Sequence, residues 1–360
     1  MEFSPPSPPL SFFLRRGASF LLFLWAGFFA RAQETVPYLL TTGTEMELIG
    51  FPLQHPGYDS GVVASVAGSV VSWTPSFRDR PFGSSLGVGE ECYAEVVAPA
   101  GHSWLGHRFE LDESATRTRT DHALVAETST LNTRGLPTAE LVGAMLEVRP
   151  HLTVPFWAQD SIARRVKHGG EKSEAFQFFL PSLTGGTLGV VPLVGAGGVT
   201  GWMDQNSSRP LSAGQLIIPP GSAVGVKFGQ KKGLAVGLTG ESRKTRLAKP
   251  LSAGFNFASY PYPHDMRLGV DWGGPSSGFR GAASPRGAER IEICLGLRRL
   301  IYSPESTQGS STLRWRLVNP VRRNEWKQPA EFLQEVPAGQ GFLIWKNSPD
   351  TNHFFDPPKP

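Results

Sequence analysis

Glycine and proline interrupt this chain so often that long helices are excluded as its main building material. The 360 residues hold 41 glycines and 31 prolines, one residue in five. Glycine loosens helical backbone, and proline removes a helical hydrogen bond and clashes with the preceding turn. Short strands joined by Gly/Pro turns fit such punctuation. Nine tryptophans against 18% charged residues suit cores packed between sheets. The expected fold class is all-β.

The first 32 residues are built differently. Arg15 and Arg16 precede an uncharged apolar run of 14 residues, Gly17 to Ala30, which ends in Ala30-Arg31-Ala32. A charged start, a short apolar core and a small-residue end make a secretory signal peptide. The core is shorter than the ~20 residues a membrane-spanning helix needs. Cleavage before Gln33 removes Arg15, Arg16, Arg31 and Glu2, leaving 32 basic and 30 acidic residues. So small an imbalance argues against nucleic acid or an acidic membrane surface as partner. No lipid-accepting Cys follows the core, and no apolar tail precedes the final Asp356 to Pro360. The mature protein is expected in the periplasm, at the cell surface or outside the cell, without stable membrane insertion. An outer-membrane barrel would also alternate, but Pro357, Pro358 and Pro360 make a poor last strand.

A mature chain of 328 residues exceeds the usual size of one core, which favours two domains. Valines on both sides of Ala67-Gly68-Ser69 read as a hairpin over 61–73. From Glu91 to Val97, Glu91, Tyr93 and Glu95 alternate with Cys92, Ala94 and Val96, the pattern of a half-buried strand. Further short strands are expected at 104–111, 123–127 and 145–148. Thr116 to Thr120 alternates Thr and Arg without an apolar face, which suggests an exposed edge or loop. The polar stretch 159–175 reads as a linker or loop between a first β domain, 33–158, and a C-terminal β region, 176–360. Each would be of sandwich or small-barrel type.

The second half carries an internal echo. Ile218 to Val226 aligns with Val336 to Ile344 in a pattern of β-branched residue, Pro, any, Gly, any, small, apolar, any, β-branched. Pro219 and Pro337 fix φ, Gly221 and Gly339 permit a positive φ, and the alternating residues then enter a sheet. Two related halves are expected around 216–228 and 333–346.

The signal is followed in order by a Phe51-Pro52-Leu53 turn, the 61–73 hairpin, Pro155-Phe156-Trp157, and Gly201-Trp202 with Pro219 and Gly221. Then come Gly254 to Pro261, Trp326, and Val336 to Phe342. This layout resembles an uncharacterised family of exported, β-rich bacterial proteins of about this length. The resemblance implies export and an all-β build, and supplies no reaction, ligand or catalytic residue.

No catalytic motif withstands a structural reading. Gly83 to Gly87 fits G-x-S-x-G around Ser85, but no strand feeds the serine and no helix leaves it. His102 and His107 are five apart in a β region, an odd spacing that puts them on opposite faces, and His122 adds no C-x-x-C partner for a metal. The neighbours Glu90-Glu91 and Asp112-Glu113 would likewise point apart on a strand, whereas glycoside hydrolysis needs two carboxyls facing one bond. Gly195-Ala196-Gly197-Gly198 lacks the strand-then-helix setting of a dinucleotide loop. No metal and no cofactor is expected.

Tryptophans are the stronger candidates for recognition, because flat aromatics stack on sugars and on protein partners. Trp315 and Trp345 lie in alternating strands and are expected in the core. Trp202, Trp272 and Trp326 sit in polar loops and are the candidate ligand-binding residues. The expected function is a non-enzymatic structural or adhesive role at the cell envelope. The alternative is a secreted carbohydrate-binding or carbohydrate-processing protein. Candidate partners are envelope polysaccharide and other surface proteins.

Cys92 and Cys294, about 200 residues apart and in unlike environments, are not expected to form a disulfide. N-terminal sequencing of the exported protein should begin at Gln33, and an intact Met1 in a membrane pellet would refute the signal.

Overall fold

A computed structural model describes residues 34–40, 43–75, 91–119, 121–127, 131, 137–155, 177–181, 187–195, 198–228, 234–295, 298–306, 313–319, 321–327 and 335–358. The signal at 1–32, the Ser85 motif, Glu90, the stretch 159–175, Phe156 and Trp157 lie outside the described residues.

The protein is nearly all β. The chain opens with β1 (Glu34–Leu40), β2 (Gly43–Gly50) and β3 (Leu53–Gln54). Next come β4 (Asp59–Ala67), β5 (Val70–Pro75), β6 (Cys92–Ala98), β7 (Arg108–Glu110), β8 (Ala123–Val125) and β9 (Met145–Pro150). They are followed by β10 (Leu152–Thr153), β11 (Gln177–Pro181), β12 (Thr187–Gly195), β13 (Gly198–Asp204), β14 (Ile217–Ile218), β15 (Ala223–Phe228) and β16 (Leu234–Ser242). The last group is β17 (Leu247–Leu251), β18 (Gly254–Ser259), β19 (Met266–Arg267), β20 (Arg290–Leu295), β21 (Arg298–Glu305), β22 (Arg314–Leu317), β23 (Glu335–Val336), β24 (Gly341–Lys346) and β25 (Asp350–Phe355).

Strands β4 to β9 make a six-stranded sheet in the order β7-β6-β9-β4-β5-β8. Two five-stranded sheets follow one plan: β2-β15-β11-β12-β13 and β18-β24-β20-β21-β22. In each, the first strand stays at the edge, three strands meander, and the last strand returns to insert between edge and meander. The flanking pairs β1·β16 and β17·β25 correspond as well, as do the short pairs β10·β14 and β19·β23. Between β3 and β10 the first set carries the six-stranded sheet. Between β18 and β19 the second has only residues 260–265.

This topology differs from the expected division into 33–158 and 176–360. Strands β1 and β2 hydrogen-bond to β16 and β15, so 34–50 belongs to a sheet with residues from the far side of 159–175. Residues from Ala32 onward group as one compact unit.

Each sheet has its own core. The first five-stranded sheet buries Ile49, Phe178, Val190, Trp202, Val224 and Val226, and the six-stranded sheet buries Val63, Trp73, Cys92, Val96, Trp104 and Phe109. Trp272, Phe279, Ile293, Trp315, Phe342 and Ile344 lead the third core. The two cysteines lie in different sheets, in β6 and β20.

The turns that launch β15 and β24 match in detail. Ser222 N donates to Pro219 O at 3.0 Å, and Gln340 N donates to Pro337 O at 3.0 Å. Gly221 has φ +71° and Gly339 φ +83°, a region that side chains disfavour. These turns also join the two sheets: Ser259 N donates to Gly221 O at 2.9 Å and Gly50 N to Gly339 O at 2.7 Å.

The hairpin around Gly68 forms as β4 and β5. Two local expectations need correction. Glu113–Arg117 is a short helix, α1, because Asp112 caps it by accepting from Ala115 N and Glu113 pairs with Arg117 one turn on. Within it Thr116 is buried and exchanges hydrogen bonds with the Val125 backbone, which Thr/Arg alternation did not reveal. Strand β6 is not half-buried: Tyr93 and Glu95 are covered as fully as Cys92, Ala94 and Val96.

Gly221→Val should lower stability by more than ~1 kcal/mol, since an added Cβ would meet Leu247 Cδ2 at 2.7 Å on top of the positive φ. Gly339→Val should do likewise through φ alone. Val321→Ser, at a largely exposed site, should change stability in urea denaturation by less than about 0.5 kcal/mol.

Candidate functional site

The face of β6 and β9 opposite the six-stranded core does not meet water. Because Cys92, Ala94, Val96, Leu146 and Val148 point into that core, Tyr93, Glu95, Glu147 and Arg149 point out of it. Strand β16 and the residue after it cover them with Glu241 and Arg243, and Lys249 lies buried nearby on β17. Arg149 bridges Glu147 and Glu241, the latter at 3.1 Å, and also donates to His55 O. Arg243 pairs with Glu95, both almost wholly buried, and His151 pairs with Glu110. The Arg108 guanidinium lies 5.8 Å from the Tyr93 ring centre.

Burial sets the protonation behaviour of this seam. Burial and then the Glu95 charge push the Tyr93 hydroxyl up to about 12. Burial works against the Arg243 charge, but the Glu95 carboxylate and the Tyr93 and Tyr262 hydroxyls together outweigh it and hold the guanidinium above its ordinary range. Burial, with the Arg108 charge added, brings the Lys249 amine down to about 7. Among the described residues its Nζ meets Ser222 Oγ and no carboxylate. A neutral lysine beside a serine hydroxyl is a general-base arrangement. Ser222 has no exposed surface, however, so no substrate reaches it. The adjoining cleft, walled by Tyr93, Arg243, Gln54, His55, Pro219 and Pro220, has a free volume of about 20 Å³, room for one water.

A second acidic group gathers beside this seam. Partial burial raises the carboxyls of Glu91 and Glu127, Glu113 adding to the first and Glu110 to the second. Of the pairs singled out in sequence, Asp112 is the α1 cap and Glu113 its ion pair. His107 is buried between Trp104 and Phe354, whereas His102 Nδ1 accepts from Trp104 N. Among the described residues no three His, Cys, Asp or Glu side chains converge as a metal site.

The tryptophan expectations are largely reversed. Trp202 is core, set edge-on to Phe178, and Trp272 is stacked on Phe355 at 4.7 Å with its Nε1 donating to Phe354 O. Their polar neighbours belong to turns, while the rings point inward. Trp326 is half-buried beside β22, with the Arg316 guanidinium 5.6 Å from its ring centre. The structure does not bring the three together. Trp315 is core as expected, but Trp345 is not: Phe342 and Ile344 fill the core, so Trp345 faces outward.

That outward face forms an aromatic ledge. Phe255, Trp345 and Arg290 stand side by side on β18, β24 and β20. Phe255 is 46% exposed and lies 4.8 Å from Trp345, and Arg290 stacks over both rings at 5.4 and 4.8 Å. Glu292, on the next rung, is held by Arg290 and by the half-exposed Arg299. The alternation of Phe342 to Trp345 carried this information, since every second residue of a one-face-buried sheet turns outward.

The chain matches no family model, no curated protein and no solved structure.

Glu95→Gln or Arg243→Met should each cost about 3–5 kcal/mol by leaving one buried charge alone, and the combined replacement should cost less than the sum. Urea denaturation of the four proteins measures this.

Proposed function

We propose that this chain is an exported, non-enzymatic β-protein with a structural or adhesive role at the cell envelope. The observation that carries the reading is the Phe255–Trp345–Arg290 ledge, an open surface made of residue types enriched at the centres of protein interfaces. The matching strand orders of the five-stranded sheets support a rigid scaffold of two related halves. The buried carboxylates support it further: Glu95, Glu147, Glu241, Glu289 and Glu292 each hold a cation in place.

A carbohydrate-binding or carbohydrate-processing role is the second reading, favoured by the same rings. Aromatic side chains stack on the apolar faces of sugars, and an arginine beside them adds a fork for a carboxylate or hydroxyl. The raised carboxyls of Glu91 and Glu127 are of the kind a general acid uses.

The test is retention of the purified protein on isolated envelope material. Phe255→Ala with Trp345→Ala should reduce retention at least tenfold while thermal unfolding stays unchanged. Competition by free envelope polysaccharide would select the carbohydrate reading, and indifference to it the adhesive one. Undiminished retention of the double variant would show that the ledge is not the contact surface.

A further inference from the structure

Lys249 takes no part in the ledge or in the ion pairs of the seam, yet it sits where the seam meets the second five-stranded set. It shares a strand face with Leu247 and Leu251, and only 8% of it is exposed. Its stem passes Gly221, where an added Cβ would lie 3.6 Å from Lys249 Cδ. The neighbouring Ala248 N donates to Gly106 O at 2.9 Å, tying β17 to the loop before β7.

Its electrostatic neighbours come from every element packed here. The 219–222 turn offers the Ser222 hydroxyl, which is neutral. Strand β7 brings Arg108, a second buried cation whose Nη1 has no partner among the described residues. His107 packs against Phe354 from the loop before β7, and His353 stands opposite Lys249 on β25. Glu95, the carboxylate of the adjoining seam, is bound to its own arginine, Arg243. A charged amine here faces a hydroxyl and a like charge, and burial without an anion strongly disfavours the charged form.

We propose that Lys249 is a proton-operated latch: its neutral amine stays folded into the seam between β17, the 219–222 turn and the loop before β7, and proton uptake favours release of that seam. The direction follows from linkage. The folded amine sits at about 7, against 10.5 when the seam opens and water reaches it. Between these values the open form holds a proton that the closed form lacks, so opening grows roughly tenfold for each pH unit lost. The growth levels off below about 7, where both forms are charged. The seam is therefore tight in alkali and loosest at and below neutrality. The tyrosines lie outside this window, Tyr93 at about 12 and Tyr262 pushed higher by burial.

Hydrogen exchange of the Ala248 amide in the full-length mature protein tests this between pH 7.5 and 9.5. Intrinsic exchange quickens tenfold per pH unit, so a seam that closes tenfold per unit gives an observed rate nearly independent of pH. That flat profile is the expected result, whereas Lys249→Met should restore the tenfold climb and His353→Gln should keep the profile flat. A wild-type rate that climbs tenfold per unit overturns the proposal. Should Lys249→Met fail to fold, NMR titration of the labelled lysine side chain in the unaltered protein decides. A midpoint near 7, raised by Arg108→Gln, supports the latch, and a midpoint near 10 overturns it.

Discussion

Backbone has to come unusually close to backbone where the two five-stranded sheets meet, and the rest of the architecture is arranged around that approach. A Cβ on Gly50 would lie 2.5 Å from Ser259 Cβ, and one on Gly341 would lie 2.6 Å from Ala223 Cβ. Glycine, alanine and serine are the side chains this contact tolerates. The reciprocal bonds from Gly50 N to Gly339 O and from Ser259 N to Gly221 O then satisfy polar groups at the edge strands β2 and β18. The final residue of each of these two edge strands is thereby held by the opposite sheet.

The six-stranded sheet is docked by a different interaction, an array of charges taken out of water. Such pairs gain little over an apolar seam of the same size, because desolvation offsets much of their attraction. What they supply is selectivity of fit, since a shift of one residue along β6 or β9 would turn Tyr93, Glu95, Glu147 and Arg149 into the core of Cys92, Ala94 and Val148. The orphaned nitrogens of Arg108 and Arg243 show that the array is not perfectly closed among the described residues.

Fold class was legible in the sequence because Gly/Pro punctuation and two-residue alternation act locally. The 61–73 hairpin and the Pro219 and Pro337 turns were read from single short stretches. What could not be read was which sheet covers which face. Tyr93 and Glu95 carry a solvent-facing pattern but meet Arg243, a residue 148 positions from Glu95. Trp202 and Trp272 looked like loop residues because the turns beside them are polar. Lys249 left a faint trace, a lysine in phase with Leu247 and Leu251, and such a phase suits an exposed lysine stem as well as a buried one.

The insertion of six strands between β3 and β10 bears on the order in which the chain assembles. Strand β2 pairs with β15 across roughly 175 residues, Ile49 opposite Val224, whereas Phe255 and Trp345 of the second set are 90 apart. A floppy tether of twice the length would cost only about 0.6 kcal/mol more to close, yet this tether need not be floppy. Once folded, the six-stranded sheet sets Asp59 beside Val148 and joins Tyr58 N to Val148 O. Its two ends leave side by side, and the nascent first set then closes as if a few residues linked β3 to β10. A folded insert of this kind shortens the search for distant strands that its own length would otherwise prolong.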